Sequence, residues 1–256
     1  MIKKADPSVL SKLLPELDIY VYDEIDSTNL EARRLAEKKL VRPSLILSSF
    51  QSAGKGRQGK SFYSPKNTGL YMSLLYPLSG AVYDVVRITA KTSCAVVKGL
   101  TPFVKGDLYI KWVNDIYFEE RKVCGILVES VTDTDNLNLK ALIIGIGINL
   151  NTEDFPEDIR QTAGSLHLKD ADLNLVAAGI LRELLFEVDH LQDTTYLKTY
   201  RERSNVLGKE IYFLEDGEKI YAKALRIDDK GGLVVGLSDG TEKTLDSGEI
   251  SVRVRS

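Results

Sequence analysis

Gly54-Lys55-Gly56-Arg57-Gln58-Gly59-Lys60-Ser61, continued by Phe62-Tyr63-Ser64-Pro65-Lys66-Asn67-Thr68-Gly69, is the stretch on which the fold turns. Its first eight residues satisfy G-x-x-x-x-G-K-[ST], the Walker A loop, and also G-x-G-x-x-G, the dinucleotide fingerprint. Either reading gives anion chemistry. Glycine lets consecutive N–H groups turn toward a phosphate, and Lys55, Arg57 and Lys60 add positive charge. Both patterns also require a helix to follow at once, with its N-terminus on the phosphate. Here Pro65 would remove a hydrogen bond from such a helix, and Asn67-Thr68-Gly69 signals a turn. Leu70 to Tyr76 is then an aromatic and apolar run suited to a strand. The expectation is strand, basic loop, strand; the bland alternative is a solvated surface loop.

Outward from the loop, Leu45 to Phe50 is a compact apolar strand. Before it, Thr28 and Glu31 fit a capping box, and Ala32, Leu35, Ala36 and Leu40 give a helical face. Asp84 to Leu100 reads as a second helix. Strands follow at Leu108–Trp112, Ile116–Phe118, Val123–Val131 and Leu139–Leu150, with a hairpin expected at Glu119-Glu120-Arg121-Lys122. Asp172 to His190 and Tyr196 to Arg203 read as helices. Beyond about Asn205, short strands alternate with the turn signals Asp216-Gly217, Lys230-Gly231-Gly232 and Asp239-Gly240. The expected architecture is α+β: a mixed sheet packed with helices over residues 1–204, then a small SH3-like β-barrel over 205–256.

The 256 residues, 43% hydrophobic, are enough to bury one full core plus an appendage. A net charge of −3 and a pI near 5.6 exclude a global basic field for nucleic acid. The two cysteines, Cys94 and Cys124, sit in apolar stretches and read as buried thiols of a reducing compartment. The start lacks the apolar core of a signal peptide, and the apolar run Ala141–Leu150 is too short to span a bilayer. A cytoplasmic protein with no membrane partner is expected.

With its leader Gln51-Ser52-Ala53, the loop resembles the glycine/basic loop of biotin protein ligases. Four further segments match that family in order: Asp26-Ser27-Thr28-Asn29, Lys111-Trp112-Val113-Asn114-Asp115, Lys122-Val123-Cys124-Gly125-Ile126-Leu127-Val128-Glu129 and Gly145-Ile146-Gly147-Ile148-Asn149. The closing Gly248-Glu249-Ile250-Ser251-Val252-Arg253 resembles the family's C-terminal end. The resemblance implies a fold like that of class II aminoacyl-tRNA synthetases and biotin ligases. It also implies an activity: ATP activates the biotin carboxylate to biotinyl-5′-AMP, and biotin then passes to one lysine of a biotin carboxyl carrier protein.

By that resemblance Ser27, Thr28, Asn29 and Gln51 bind the ureido ring. Lys55, Gly56, Arg57, Lys111, Gly125 and Gly145 complete the biotin site, with Gly147 beside them, and the glycines let backbone lie flat against the bicyclic ring. Lys111 and Arg57 are the expected catalytic cations, offsetting the repulsion between carboxylate and triphosphate. Arg57, Gln58, Phe62, Asn114, Asn149 and Arg253 are expected at ATP. Magnesium would arrive with the nucleotide, near Asp115, without a protein-held metal; His167 and His190 have no partner at ligand spacing. Lys55 stands where Arg is frequent, Phe62 where Trp is frequent, and Val113 where Pro is frequent.

The alternatives are a lipoate or octanoate ligase on a related fold, a P-loop NTPase, and a biotin-sensing transcription regulator. About twenty-five residues precede Ser27, too few for a winged helix-turn-helix, so no specific DNA is expected. A homodimer through the catalytic sheet is compatible with the family.

Overall fold

The computed structural model describes residues 1–38, 42–80, 85–132, 138–215, 217–246 and 253–254; for 79, 80, 253 and 254 only the backbone is described. The basic loop is followed by a strand, as its proline and turn residues dictate. β2 (Ser44–Ser48) enters the loop and β3 (Gly69–Gly80) leaves it, with a single 3-10 turn at Arg57–Gly59 between them. The loop is itself a small hairpin. Gly56 N donates to Lys60 O (2.7 Å), Phe62 N to Gly54 O (2.8 Å), and Lys55 bridges Ser61. Gln58 and Gly59 close it in the left-handed region, at φ 55° and 71°.

Seven strands form one mixed sheet in the order β1-β2-β3-β7-β6-β5-β4, where β1 is Asp18–Tyr22, β4 Tyr109–Lys111, β5 Asp115–Phe118, β6 Arg121–Thr132 and β7 Leu139–Asn149. Only β1 and β2 run parallel. β5 and β6 are joined by a two-residue turn, Glu119-Glu120, with both residues at positive φ (47° and 62°), the combination a tight hairpin requires. Strand alternation sends side chains to two faces. Leu45, Leu47, Leu74, Ile126 and Ile144 pack toward α3 (Val85–Leu100) and α4 (Leu173–Asp189), while Ile46, Leu75 and Ile143 meet Ala32 of α2 (Thr28–Glu37).

α4 begins at Asp172, whose carboxylate accepts from Asn174 N, the helix-start signal of the sequence. A short α1 (Pro7–Leu13), not anticipated above, is capped by Asp6 with Pro7 at its first position. Between α3 and α4 lies a buried ion pair. Lys91 Nζ is 2.8 Å from Glu187 Oε2, with the two side chains 1% and 4% exposed, and Lys91 also donates to His190 O.

α5 (Tyr196–Glu202) leads to a second, five-stranded antiparallel sheet in the order β11-β10-β9-β8-β12. Its strands are β8 (Glu210–Glu215), β9 (Glu218–Ile227), β10 (Leu233–Leu237), β11 (Glu242–Leu245) and β12 (Arg253–Val254). Two contacts tie it to the preceding elements: Trp112, just after β4, donates from Nε1 to Gly231 O (3.0 Å), and Arg201 of α5 pairs with Asp229 (2.8 Å). No helix among the described residues is long and apolar enough to cross a membrane. Leu40, Asp84, Asp216 and the segment Gly248 to Val252, all used in the sequence reading, lie outside the described residues.

Candidate active site

A cavity of ≈ 530 Å³ opens over β6 and β7, between the start of α2 and the basic loop. It gathers Ser27, Thr28, Asn29, Gln51, Lys55, Gly56, Arg57, Gln58, Phe62, Lys111, Asn114, Asp115, Gly125, Gly145, Gly147 and Asn149. Of the residues expected at the site, only Arg253 is not placed there. Its backbone pairs with Tyr212, and its side chain lies outside the described residues.

The polar end is built where α2 begins. Ser27 stands at the N-cap position but makes no capping bond through its side chain. Neither does Thr28 close the expected capping box. Its hydroxyl lies 3.1 Å from Gln51 Oε1 and 2.8 Å from Ser73 Oγ instead. Gln51 takes over the capping: Oε1 accepts from Thr28 N (2.8 Å), while Nε2 donates to Ser64 Oγ (2.9 Å). One Nε2 proton remains for a ligand. Gln51 thus caps the helix and lines the cavity with one side chain.

The glycines of the floor first admit protein side chains. A Cβ on Gly145 would stand 2.1 Å from Asn29 Oδ1, so this glycine is what lets Asn29 lie on β7. Gly125 and Gly147 face each other in register across β6 and β7. The Phe62 ring covers that pair, 3.1 Å and 2.5 Å from where the two Cβ atoms would be, with its edge toward Tyr71.

The basic end is held from four directions. Val113 O accepts from Tyr200 Oη (3.0 Å) and Ser93 Oγ (3.3 Å), Trp112 is anchored to Gly231, and Asn114 and Ile126 exchange bonds of 2.9 and 3.0 Å. The Trp112–Val113 peptide is cis. From this frame Asn114 Oδ1 accepts from Arg57 Nη1 (3.1 Å). Burial disfavours the Arg57 charge and pulls its pKa down, against the nearby Asp115 carboxylate, which raises it. Lys111 Nζ lies 3.4 Å from Tyr117 Oη and over that ring.

Lys122, quoted in a motif but given no role, reaches the same place. Its Nζ is 2.7 Å from Asp115 Oδ1, and its Cε lies beside Gly125 at the floor. Five lining side chains are basic (Lys55, Arg57, Lys60, Lys111, Lys122) and two are acidic (Asp115, Asp158), so a protein of net charge −3 concentrates positive charge here. That is a site for an anion.

A fourth wall comes from residues 155–163, in the connection between β7 and α4. Phe155, Asp158, Ile159, Thr162 and Ala163 line the cavity, held by the bond from Lys122 N to Thr162 O (2.9 Å). Asn149 beside them donates from Nδ2 to Gly164 O, while its buried Oδ1 has no partner among the described residues. No group of three or more His, Cys, Asp or Glu residues among the described residues is arranged to hold a metal ion.

Comparison with known proteins agrees with this geometry. The model of the biotin/lipoate A/B protein ligase family matches residues 21–149, and that of the biotin protein ligase C terminal domain matches 206–253. The bifunctional ligase/repressor BirA of Bacillus spizizenii is 30% identical over 230 residues, covering 86% of this chain and 70% of that protein. The chain belongs to the biotin protein ligase family. BirA of Escherichia coli is 29% identical over 255 residues, covering 94% of the chain and 77% of that ligase/repressor. The biotin protein ligase from Aquifex aeolicus, solved in complex with biotin and ATP, superposes with a TM-score of 0.78. It is 28% identical, covering 93% of this chain and 99% of that one. The mixed seven-stranded sheet with its C-terminal antiparallel sheet is therefore the architecture of a biotin protein ligase.

Proposed function

We propose that the cavity joins biotin to ATP and then hands the biotinyl group to a lysine of a biotin carboxyl carrier domain. A biotin carboxylate oxygen attacks the α-phosphorus, an O–P bond forms, the bond to the β-phosphate breaks, and pyrophosphate leaves. The carrier amine then attacks the acyl carbon of biotinyl-5′-AMP. An amide forms, AMP leaves, and the amine loses a proton. One observation carries this reading. A neutral hydrogen-bonding end and a strongly basic end share one open cavity, as a ureido acid and a triphosphate require.

Ser27, Thr28, Asn29 and Gln51 take the ureido ring and Gly145 keeps Asn29 against it. Lys55 and Gly56 close over the acyl chain. Arg57 and Gln58 grip phosphate, Phe62 and Asn149 meet the adenine, and Asn114 holds Arg57 in place. Arg253 belongs to the nucleotide side by resemblance alone. Lys111 was the cation expected to bridge carboxylate and phosphate. The geometry favours Lys122, which stands over the floor beside Gly125 while Lys111 packs on Tyr117. Asp115 is engaged by Lys122, so magnesium would enter with the triphosphate and not on a protein cage. We place the enzyme in the cytoplasm, with residues 1–204 catalytic and 205–256 a separate small domain. Specific DNA has no part in its action, and a homodimer would form through the catalytic sheet.

The test is pyrophosphate release from ATP with biotin, lipoate or no acid. Release with biotin alone is expected. Equal stimulation by lipoate would refute the substrate, and ATP cleavage without acid would restore the NTPase reading.

A further inference from the structure

The polar end is tied to a carboxylate outside the cavity. Asn29 donates from Nδ2 to Glu129 Oε2 (2.7 Å), and Arg33 holds Glu129 Oε1 at 3.0 Å. A carboxylate only accepts, so Glu129 decides which end of the Asn29 amide turns toward it. The Asn29 carbonyl is left to accept from Ser73 Oγ at 2.6 Å. Ser73 Oγ also lies 2.8 Å from Thr28 Oγ1, which lies 3.1 Å from Gln51 Oε1.

These contacts can be counted in protons. Three oxygen–oxygen contacts link Asn29, Ser73, Thr28 and Gln51, and the Ser73 and Thr28 hydroxyls bring one proton each. Every arrangement leaves one contact without a hydrogen. Thr28 and Asn29 both line the cavity, so a ligand N–H reaching either oxygen supplies the missing donor.

We infer that Glu129 is a positioning residue which, by fixing the Asn29 amide, keeps this end one proton short and so selects acids carrying ring N–H donors. The inference rests on the function proposed above and names what its acyl-end selectivity depends on. Without the carboxylate the Asn29 amide turns over and donates to Ser73. The end then meets a ligand N–H with a donor of its own, and acids lacking N–H groups lose their disadvantage. The Arg33–Glu129 pair is partly exposed (side chains 37% and 25%), so its contribution to folding is small.

Glu129→Ala, Asn29→Asp and the double variant Asn29→Asp/Glu129→Gln test this. Asn29→Asp sets two carboxylates face to face. In the double variant the new amide donates to the new carboxylate, whose second oxygen again accepts from Ser73. Each variant is assayed by pyrophosphate exchange, giving kcat and separate KM values for biotin and ATP, and by calorimetric biotin binding without ATP; thermal melting reports the fold. Each single variant is expected to raise the biotin KM on the order of tenfold, with the ATP KM changed by less than about twofold, and the double variant to recover most of the loss. A folded double variant as weak as Asn29→Asp would overturn the inference. So would a Glu129→Ala effect that is absent or falls equally on biotin and ATP. A wild type without biotin-dependent exchange would instead overturn the underlying function.

Discussion

At one end of the cavity Thr28, Asn29 and Gln51 are neutral and tied to one another; at the other, Arg57, Lys111 and Lys122 are charged and stand around the carboxylate of Asp115. The first end is shaped before any ligand arrives, because each hydrogen bond fixes the next. The second concentrates charge and waits for an anion. Under the proposed function, recognition and reaction are separated in space. Changes at the neutral end should fall on binding of the acid, and changes at the basic end on the rate of adenylate formation.

The largest break in this comparison is expected at the basic end. Arg57→Ala or Lys122→Ala should slow single-turnover adenylate formation by roughly 10²–10³, the effect of removing one preorganised electrostatic contact. Rapid-quench measurement checks this, with circular dichroism to show that the fold persists. Lys111→Ala sharpens it. A loss as deep as that of Lys122→Ala would return the bridging role to Lys111.

A buried charge away from the cavity should behave differently. Glu187→Ala leaves Lys91 buried and unpaired between α3 and α4, and should destabilise the protein by about 3–5 kcal/mol in urea unfolding. The surviving folded enzyme should keep its kcat.

At the neutral end the expected effect is smaller. Gln51→Ala removes the acceptor for Thr28 N and should weaken biotin binding about tenfold by calorimetry, with little change in ATP affinity. An equal loss for both ligands would erase the division between the ends.

Much of this was legible in the sequence, for local reasons. Pro65 and Asn67-Thr68-Gly69 excluded a helix after the loop, and β3 begins at Gly69. The helical pattern from Asp172 to His190 marked α4, and the interval Glu119-Glu120-Arg121-Lys122 marked the hairpin, whose turn is only Glu119-Glu120 because β6 begins at Arg121. Of the site residues that the resemblance marked, all but Arg253 line the cavity, though about half of its lining was not among them. What escaped depends on long-range approach. The pairing of Lys122 with Asp115 depends on the register of β5 and β6, and the contact of Asn29 with Ser73 on α2 lying across β3. The wall at 155–163 has no periodic pattern. Nothing in Trp112-Val113 signals a cis peptide, since proline is absent. The capping box failed because Gln51, far along the chain, takes the Thr28 N–H that the Glu31 side chain would have accepted, while Glu31 N donates to Ser27 O.

The last effect concerns pH and lies outside the cavity's two ends. Burial pushes the Cys94 thiol up to about 12, and raises that of Cys124 behind the cavity floor still further. Above about pH 9 the unfolded chain loses thiol protons that the folded chain keeps, so stability falls as pH rises, by about 1.4 kcal/mol per pH unit for each thiol. Urea melts from pH 8 to 11 should show this decline, and Cys94→Ala should reduce its slope, leaving the share of Cys124.

The most direct test of the two-ended cavity is native mass spectrometry of the purified chain after incubation with biotin and magnesium-ATP. One retained biotinyl-5′-AMP per chain is predicted. Lys122→Ala should hold biotin but form little adenylate in the time that saturates the wild type, and Asn29→Asp should form adenylate only at raised biotin concentration. Biotin and ATP bound side by side without reaction in the wild type, or adenylate formed equally well by Lys122→Ala, would contradict the account.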